Sequence, residues 1–343
     1  MVKRKLMACA LAGTILTCYS GGNICMAEGA ETADDTTKGN YIIQVENQEE
    51  YQKVLEEYGA QISDNVGDTE YLEQQNILSL ELTKEQANKI NKELENTAVE
   101  KDIMLTGSSE TEEAAAEGRK GVAQWNLDML GVDGLSDKIP DTADHVKVAV
   151  LDTGVCASSE IPLAGRINLV PGEEEVDPLY EDVSGHGTAI ASVIAATDDN
   201  DGIRGVNPNA EVYSIKALDD GKKAPLSRVV QGIYWCIDND INIINMSFGT
   251  TVDSEILRKA VQDAADAGIL MIAAAGNDAE TGVCYPAAYP EVVAVGSVDN
   301  EAEASEFSAA GKELDIVAPG EKIPATGFFD EILETAGTSM ATA

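Results

Sequence analysis

Apolar runs alternate with amphipathic stretches through the second two thirds of the chain. These runs are rich in Val, Ile and Ala and lie at 147–152, 210–218, 241–247, 268–276 and 291–298. Uniformly apolar runs of this length are typical of strands buried on both faces, and helical patterns at 226–238 and 254–267 separate some of them. The pattern predicts an α/β fold with a mostly parallel central sheet and helices on both faces.

A smaller unit precedes this sheet, at residues 40–106. Its pattern predicts strands in "NYIIQVE", "NILSLEL" and "AVEKDIML" and two helices between them, one ending at Gly59 and one capped by Thr83. We therefore expect a small α+β domain. The following stretch, 107–122, is polar and acidic without apolar periodicity, which predicts an exposed linker that is easily cleaved.

The N-terminus has the layout of a secretory signal peptide. A basic start at residues 3–5 is followed by the apolar run "LMACALAGTILTCY" and by polar residues, and cleavage is predicted after Ala27. The run is too short to span a bilayer comfortably. This assigns 1–27 to a signal peptide, 28–39 to a short linker, and the protein to a secreted, extracellular location. A lipoprotein signal at Cys18 is the alternative.

Composition excludes some functions. Acidic residues outnumber basic ones 61 to 23 among 343 residues, for a net charge of −38, which argues against nucleic acid and anionic membranes as partners. The plain interpretation of the acidic excess is solubility. Outside the predicted signal the cysteines are Cys156, Cys236 and Cys284, an odd number that allows at most one disulfide. Each is otherwise expected to be a small buried apolar residue.

Three segments carry a candidate for nucleophilic chemistry. Asp152 ends a predicted strand, His186 lies between glycines at the start of an apolar helix, and Ser339 lies in "GTSMATA". A serine hydroxyl needs an imidazole to accept its proton and a buried carboxylate to orient that imidazole. The chain has two histidines, and the other, His145, lies in a polar stretch. Asn277 follows a strand, where its amide suits a developing oxyanion together with the Ser339 N–H.

The motifs "DTG", "GHGT" and "GTSMA", in this order, make residues 124–343 resemble the subtilisin-like serine proteases, or subtilases. The resemblance implies Asp152, His186 and Ser339 as the catalytic triad and Asn277 as the oxyanion donor. It implies a subtilisin-like catalytic domain at 123–343.

The resemblance extends to 40–106, which is similar to a subtilase propeptide. Such a segment assists folding and then inhibits the enzyme by placing its C-terminal tail in the substrate cleft. The protein would then be a zymogen whose first substrate is its own chain, cut somewhere between Leu105 and Val122. An unrelated accessory domain is the alternative.

The resemblance also implies where a substrate binds. An extended peptide would lie beside one segment of the cleft and place a side chain in a primary pocket with Cys284 at its floor. The other residues implied for this site are Ser247, Phe248, Gly249, Ala274, Ala275 and Gly276. The pocket carries no charge, which predicts medium apolar or aromatic residues before the cut. Lys222 and Lys223 lie at the other rim, where they either favour acidic residues upstream or are simply solvated.

The loop 197–205, "TDDNDGIRG", matches a calcium loop of many subtilases, and its oxygen-rich side chains suit this cation. The implied ligands are the side chains of Asp199, Gln124 and Glu160 and the carbonyls of Thr197, Asp201 and Ile203. An acidic surface turn is the alternative, and no organic cofactor is expected.

We therefore predict a secreted serine endopeptidase, made as a zymogen, that is a monomer and acts on proteins or peptides. A catalytically silent peptide-binding relative and an esterase or acyl transferase with the same triad are the alternatives. Ser339 begins a long central helix in the family, so we expect the chain to lack a C-terminal part. A fragment of this kind is expected to fold poorly and to show little activity. The sequence leaves open whether that part contains a transmembrane or cell-wall anchor.

Overall fold

The computed structural model describes most of the chain outside its N-terminus. The described residues are 37–67, 69–108, 113–114, 122–132, 146–173, 177–199, 202–327 and 330–343. The predicted signal peptide at 1–27, and most of the predicted linker at 107–122, lie outside these ranges.

A parallel sheet of seven strands forms the centre of the larger unit. The strands are β6 (Lys147–Asp152), β7 (Leu163–Asn168), β8 (Glu211–Lys216), β10 (Ile243–Met246), β12 (Leu270–Ala274), β13 (Val292–Val298) and β14 (Ile316–Pro319). Their order across the sheet is β14-β13-β12-β10-β6-β8-β7. The inner strands consist largely of buried residues because both faces of the sheet are covered. The predicted α/β fold class is confirmed.

Helices cover both faces of this sheet. On one face α6 (Leu226–Asp238) and α7 (Glu255–Asp266) pack together within one apolar core. On the other face α5 (His186–Ala195) packs with the C-terminal α8 (Thr338–Thr342) around a second core. A short α4 (Trp125–Leu130) precedes the sheet. None of the helices in the described ranges has both the length and the apolar character needed to span a bilayer.

The N-terminal unit has its own antiparallel sheet and its own apolar core. Its elements are β1 (Lys38–Gln44), α1 (Gln48–Tyr58), α2 (Glu70–Gln74), β2 (Ile77–Thr83), α3 (Lys84–Glu93) and β3 (Ala98–Lys101), and β1 is the middle strand. Thr83 caps α3 as predicted: its hydroxyl accepts from the Gln86 N–H while the Gln86 side chain accepts from the Thr83 N–H. Gly59 follows α1, also as predicted.

The predicted third strand of this unit differs from the structure, which divides it in two. After β3 the chain continues as β4 (Met104–Gly107), which leaves the N-terminal sheet and pairs instead between β9 (Lys223–Pro225) and β11 (Phe248–Gly249). Asp102, between the two strands, directs its carboxylate to Ser227 of the larger unit. This contact between units redirects the chain.

A third small antiparallel sheet lies beside α5. It contains β15 (Ile323–Thr326), β16 (Ile332–Thr335) and the two-residue β5 (Glu113–Ala114), with β16 in the middle. β16 leads directly into the turn before α8. This sheet therefore fixes the approach of the chain to Ser339.

Candidate active site

Adjacent strands of the parallel sheet place three candidate residues at the edge formed by their carboxyl ends. β6, β10 and β12 are neighbours, and Asp152 ends the first, Ser247 follows the second and Asn277 comes shortly after the third. The carboxyl ends of parallel strands all lie at the same edge of a sheet, which is where ligands bind in open α/β folds. The topology alone therefore brings these three positions together.

Asp152 and His186 form a buried pair. The Nδ1 atom of His186 lies 2.6 Å from Oδ1 of Asp152, and both side chains are fully buried. Gly187 allows the first turn of α5 to lie against the loop after Asp152, since a Cβ there would overlap the carbonyl oxygen of Gly154. Asp152 favours the tautomer that carries the proton on Nδ1, which leaves a lone pair on Nε2. The ring is therefore prepared to accept a proton at Nε2.

Ser339 lies at the start of α8, on the same side of the sheet as α5, and the two helices contact each other. Its hydroxyl donates to the carbonyl oxygen of Ser247 at 3.1 Å. The Nε2 atom of His186 is buried and has no hydrogen-bond partner among the described residues. The structure thus pairs Asp152 with His186 but does not join Ser339 to the ring. A rotation about the Cα–Cβ bond of Ser339 moves its hydroxyl away from Ser247.

Asn277 is held in one orientation by its neighbour. Its Oδ1 atom accepts from the N–H and from the hydroxyl of Thr338, at 2.9 and 2.8 Å. Nδ2 therefore faces the cleft, where it donates to the carbonyl oxygen of Ser108 at 2.7 Å. An amide fixed before the reaction is what stabilisation of an oxyanion requires.

The chain's own residues occupy the cleft. β4 lies antiparallel between β9 and β11, and beyond it the N–H of Ser108 donates to the carbonyl oxygen of Ser247 at 3.0 Å. A Cβ built on Gly107 would lie 3.7 Å from the His186 ring. The segment 104–108 therefore crosses the candidate site as an extended peptide, with the Ser108 carbonyl at Asn277. This mode, an extended strand added between two edges, is a common form of peptide recognition.

The residues expected to form the primary pocket are also brought together. Cys284 donates its N–H to the carbonyl oxygen of Ala275 and lies against Gly249 and Gly276. The full set is buried: Ser247, Phe248, Gly249, Ala274, Ala275, Gly276 and Cys284. Lys222 and Lys223 lie at the opposite rim, where the Lys222 carbonyl accepts from the Gly107 N–H at 2.8 Å.

Sequence reasoning missed a second buried carboxylate beside the pair. Asp182 is fully buried, and both of its oxygens accept hydrogen bonds. Oδ1 accepts from the Thr153 hydroxyl at 2.8 Å and the Gly185 N–H at 2.9 Å, and Oδ2 from the N–H and hydroxyl of Thr188 at 2.8 and 2.7 Å. Asp182 therefore ties the residue after Asp152 to the first turn of α5. Burial raises the pKa of Asp182, and hydrogen bonds from Thr188 and Thr153 oppose that shift.

Two carboxylates of the N-terminal unit cap helices of the larger unit. Glu100 accepts from the N–H groups of Glu255 and Ile256, at the start of α7. Asp102 accepts from the N–H and hydroxyl of Ser227, at the start of α6. The first N–H groups of a helix lack partners within it, and an acceptor there also meets the positive end of the helix dipole. These contacts fix β4 in the cleft.

The candidate calcium ligands lie partly in the described residues. The N–H of Thr197 donates to the carbonyl oxygen of Glu160 at 2.9 Å, and Gln124 exchanges two 2.8 Å hydrogen bonds with the backbone of Arg204. Asp201 lies outside the described residues. Within the described ranges there is no cluster of three or more His, Cys, Asp or Glu side chains suited to a metal. The Gly205 N–H donates to the carbonyl oxygen of Ala196 at 2.9 Å, which joins the two contacts, so Gln124, Glu160 and Thr197 belong to one region.

Comparison with known proteins agrees with this geometry. Residues 143–343 match the subtilase family. The chain is 35% identical over 317 residues to the thermostable alkaline protease of Halalkalibacterium halodurans, covering 92% of this chain and 81% of that one. It is 39% identical over 220 residues to minor extracellular protease Epr of Bacillus subtilis, and 41% over 206 residues to subtilisin E of the same species. These alignments cover 64% and 59% of this chain but only 33% and 53% of the two relatives.

The parallel sheet, the Asp152–His186 pair at its edge and these matches together define the class. The chain belongs to the subtilase family and is a subtilisin-like serine endopeptidase.

Proposed function

We propose that the protein is a secreted endopeptidase made as a zymogen, in which Asp152, His186 and Ser339 form the triad and Asn277 donates to the oxyanion. The observation that supports this most directly is the segment ending at Ser108. It lies in the cleft as a substrate does, with its carbonyl oxygen on Asn277 and its N–H on Ser247. The export assignment rests on the signal-like N-terminus, and one relative is named extracellular.

In the proposed reaction the hydroxyl of Ser339 attacks the carbonyl carbon of the residue before the cut, and Nε2 of His186 takes the hydroxyl proton. Asp152 stabilises the resulting imidazolium, and Asn277 stabilises the negative oxygen. Collapse of the intermediate breaks the C–N bond, and His186 delivers its proton to the leaving amine. Water then attacks the acyl-enzyme along the same route, which releases the acid and restores Ser339.

The first peptide bond cut is proposed to be the one that follows Ser108, since this carbonyl is the one at Asn277. That assignment narrows the interval from Leu105 to Val122 to one bond. After the cut, 40–106 would remain docked as an inhibitor through β4 and the two helix caps. Every residue of the proposed site belongs to one chain, which supports action as a monomer. Alignment with named proteases supports protein substrates.

We further propose that the loop at 197–205 holds a structural calcium ion, with Asp199, Gln124 and Glu160 and the carbonyls of Thr197, Asp201 and Ile203 as its ligands. The donors are oxygens, as this hard cation prefers. The hydroxyl oxygen of Thr197 is buried and has no hydrogen-bond partner in the described part of the chain, which leaves a polar atom for an ion or its water. Bound calcium would fix the loop after α5. Equal rates of heat inactivation with and without a chelator would remove this proposal.

The experiment that tests the function uses the full-length protein and its Ser339→Ala variant. The natural protein should react with a serine-directed phosphonate, degrade casein and release a fragment ending at Ser108, and the variant should do none of these. A silent relative would remain unlabelled. An esterase would be labelled without degrading casein.

A further inference from the structure

The side chain before the proposed cut is small. Ser108 occupies the position expected to hold a medium apolar or aromatic residue, and its backbone bonds to Ser247 and Asn277. Gly249 and Gly276, which the subtilase resemblance places in the primary pocket, lie within two residues of those contacts along the chain. An open pocket between two glycines accommodates a large ring. What lies between these two glycines therefore decides the size of residue that fits.

Cys284 fills that space. A Cβ built on Gly249 would lie 2.8 Å from the Cys284 Cβ, and a Cβ built on Gly276 would lie 2.9 Å from its Sγ. Each glycine hence already touches the cysteine at the limit of van der Waals contact. Cys284 is 2% exposed while Ser108 is in place, so its side chain is enclosed by its neighbours.

The backbone of Cys284 is pinned on both sides. Its N–H donates to the Ala275 carbonyl at 2.9 Å, and the next residue, Tyr285, exchanges two hydrogen bonds with Thr250 at 2.8 and 2.9 Å. A larger substrate side chain must displace the segment 284–285 or rotate the thiol into Gly276. Closely packed interiors resist such changes, because overpacking forces atoms out of their preferred positions.

We propose that Cys284 restricts the primary pocket to small side chains, namely Gly, Ala, Ser and Cys. The protein then cleaves after small residues, in substrates as in its own chain. This inference rests on the proposed function, since it concerns the same cleft. Upstream of the cut, the substrate side chain at the position of Leu105 is the one recognised. Leu105 is fully buried in the core cluster that contains Leu218, Leu226 and Phe248. A substrate side chain at the position of Gly107 has little room, because a Cβ there would lie 3.2 Å from the Lys222 Cβ.

The direct test compares fluorogenic peptides of the form Leu-Thr-Gly-Xaa on the natural mature enzyme, with Xaa as Ala, Ser, Leu or Phe. We expect kcat/KM to be at least ~30-fold higher for Ala and Ser than for Phe, since overpacking of this pocket is worth about this factor. Equal values, or a preference for Phe, would overturn the proposal. Labelling by a serine-directed phosphonate is measured in parallel. Labelled enzyme with the wrong preference refutes the pocket assignment alone, whereas unlabelled enzyme refutes the proposed function.

A variant assigns the effect to the cysteine. Cys284→Gly should raise the ratio of Phe to Ser cleavage at least about tenfold, because it empties the space between the glycines. Cys236→Ala, which removes another buried thiol from α6, should leave that ratio unchanged. An unchanged ratio in Cys284→Gly would contradict the proposal.

The zymogen supplies a test that needs no change at Cys284. Ser108→Ala should be cut after residue 108 at the natural rate, and Ser108→Phe should be cut there at least about tenfold more slowly or at another bond. N-terminal sequencing and intact mass identify the bond. Unimpaired cutting after residue 108 in the Ser108→Phe variant would overturn the proposal even if Cys284→Gly fails to fold.

Discussion

The side-chain amide of Asn277 donates a 2.7 Å hydrogen bond to the carbonyl oxygen of Ser108, a residue 169 positions earlier in the chain. The opposite end of the same amide is held by two hydrogen bonds from Thr338, the residue before Ser339. One side chain thus connects the candidate nucleophile's neighbour to the bound peptide. Thr338 and Asn277 together therefore set how far the Ser108 carbonyl lies from the candidate nucleophile, Ser339.

Removing the Asn277 amide should lower kcat with little change in KM. One oxyanion-hole donor is worth about 10²–10³-fold in kcat, and we expect Asn277→Ala to fall in this range. Thr338→Val removes one of the two bonds that orient the amide, and a loss of about fivefold follows from about 1 kcal/mol. Thr338→Ser keeps the hydroxyl and should retain activity. Steady-state kinetics on a peptide substrate check the order of the three variants.

Replacing Asp182 by asparagine should destabilise the fold around His186. Each oxygen of Asp182 accepts a backbone N–H, from Gly185 or Thr188, so either orientation of an asparagine turns its NH₂ group toward a donor. Loss of a buried hydrogen bond of this kind costs about 1–3 kcal/mol. The urea midpoint of Asp182→Asn, in the Ser339→Ala background to prevent self-digestion, measures it. Asp177→Asn, at an exposed carboxylate that accepts from one N–H, is the control and should change little.

Glu100→Ala should accelerate release of the N-terminal unit after cleavage. The carboxylate caps α7, and loss of a cap costs about 0.5–2 kcal/mol, which corresponds to a roughly 2- to 30-fold weaker complex. The lag before full activity in the processed full-length protein should shorten accordingly. Glu85→Ala removes an exposed carboxylate in α3 and serves as control. A lag that responds equally to both variants contradicts the capping role.

Docking of the N-terminal unit should weaken as the pH rises. Burial raises the pKa of Asp102 above its ordinary value of 3.8, although Ser227 donates to the carboxylate. Once the unit dissociates, the carboxyl loses the hydrogen bonds from Ser227 and its burial against the larger unit, while Ser79 of its own unit remains, so the shift decreases. The docked form therefore holds its proton more tightly, so the contribution of Asp102 is full below pH 3.8 and is lost as the pH rises through the raised pKa of the docked form.

The affinity of phosphonate-blocked enzyme for the cleaved unit, measured from about pH 4 to about pH 6.5, checks this sign. Asp102→Asn should flatten the dependence, because the variant group does not titrate. Stronger docking at higher pH in the natural protein would contradict the assignment.

The thiols of Cys156 and Cys236 should resist alkylation in the folded protein. Both are buried without a disulfide, and burial raises the pKa of each. Thiolate is the reactive form, so little is present at about pH 8. Intact mass after iodoacetamide treatment should show no addition at these two residues until urea unfolds the chain. Labelling of either residue without urea would contradict the burial.

Sequence pattern predicted the sheet and helices closely where burial is continuous. The predicted strand 147–152 and helix 226–238 have the observed bounds, and the predicted strand 291–298 begins one residue early. β9 and β11 could not be predicted, because strands of two or three residues form only by pairing with β4, which lies far away in the chain.

The candidate site was predictable to a similar degree. Asp152 and Asn277 follow from motifs at strand ends, and His186 follows from a motif between glycines at the start of a helix. Asp182 gives no such signal, since an aspartate in a polar loop looks solvated until Thr153 and Thr188 fold around it. The position of Ser108 also gives no signal in the sequence. The register of a polar Gly-Ser stretch is set by the strands with which it pairs, here β9 and β11.

Glu100 and Asp102 precede the helices they cap by 155 and 125 residues. During synthesis these acceptors therefore exist, on a compact unit with its own core, long before α6 and α7 leave the ribosome. Each helix would then meet, as it forms, a hydrogen-bond acceptor already held at the position of its first turn. We therefore expect the N-terminal unit, which is synthesised first, to assist folding of the larger unit, and the larger unit supplied without it to refold more slowly.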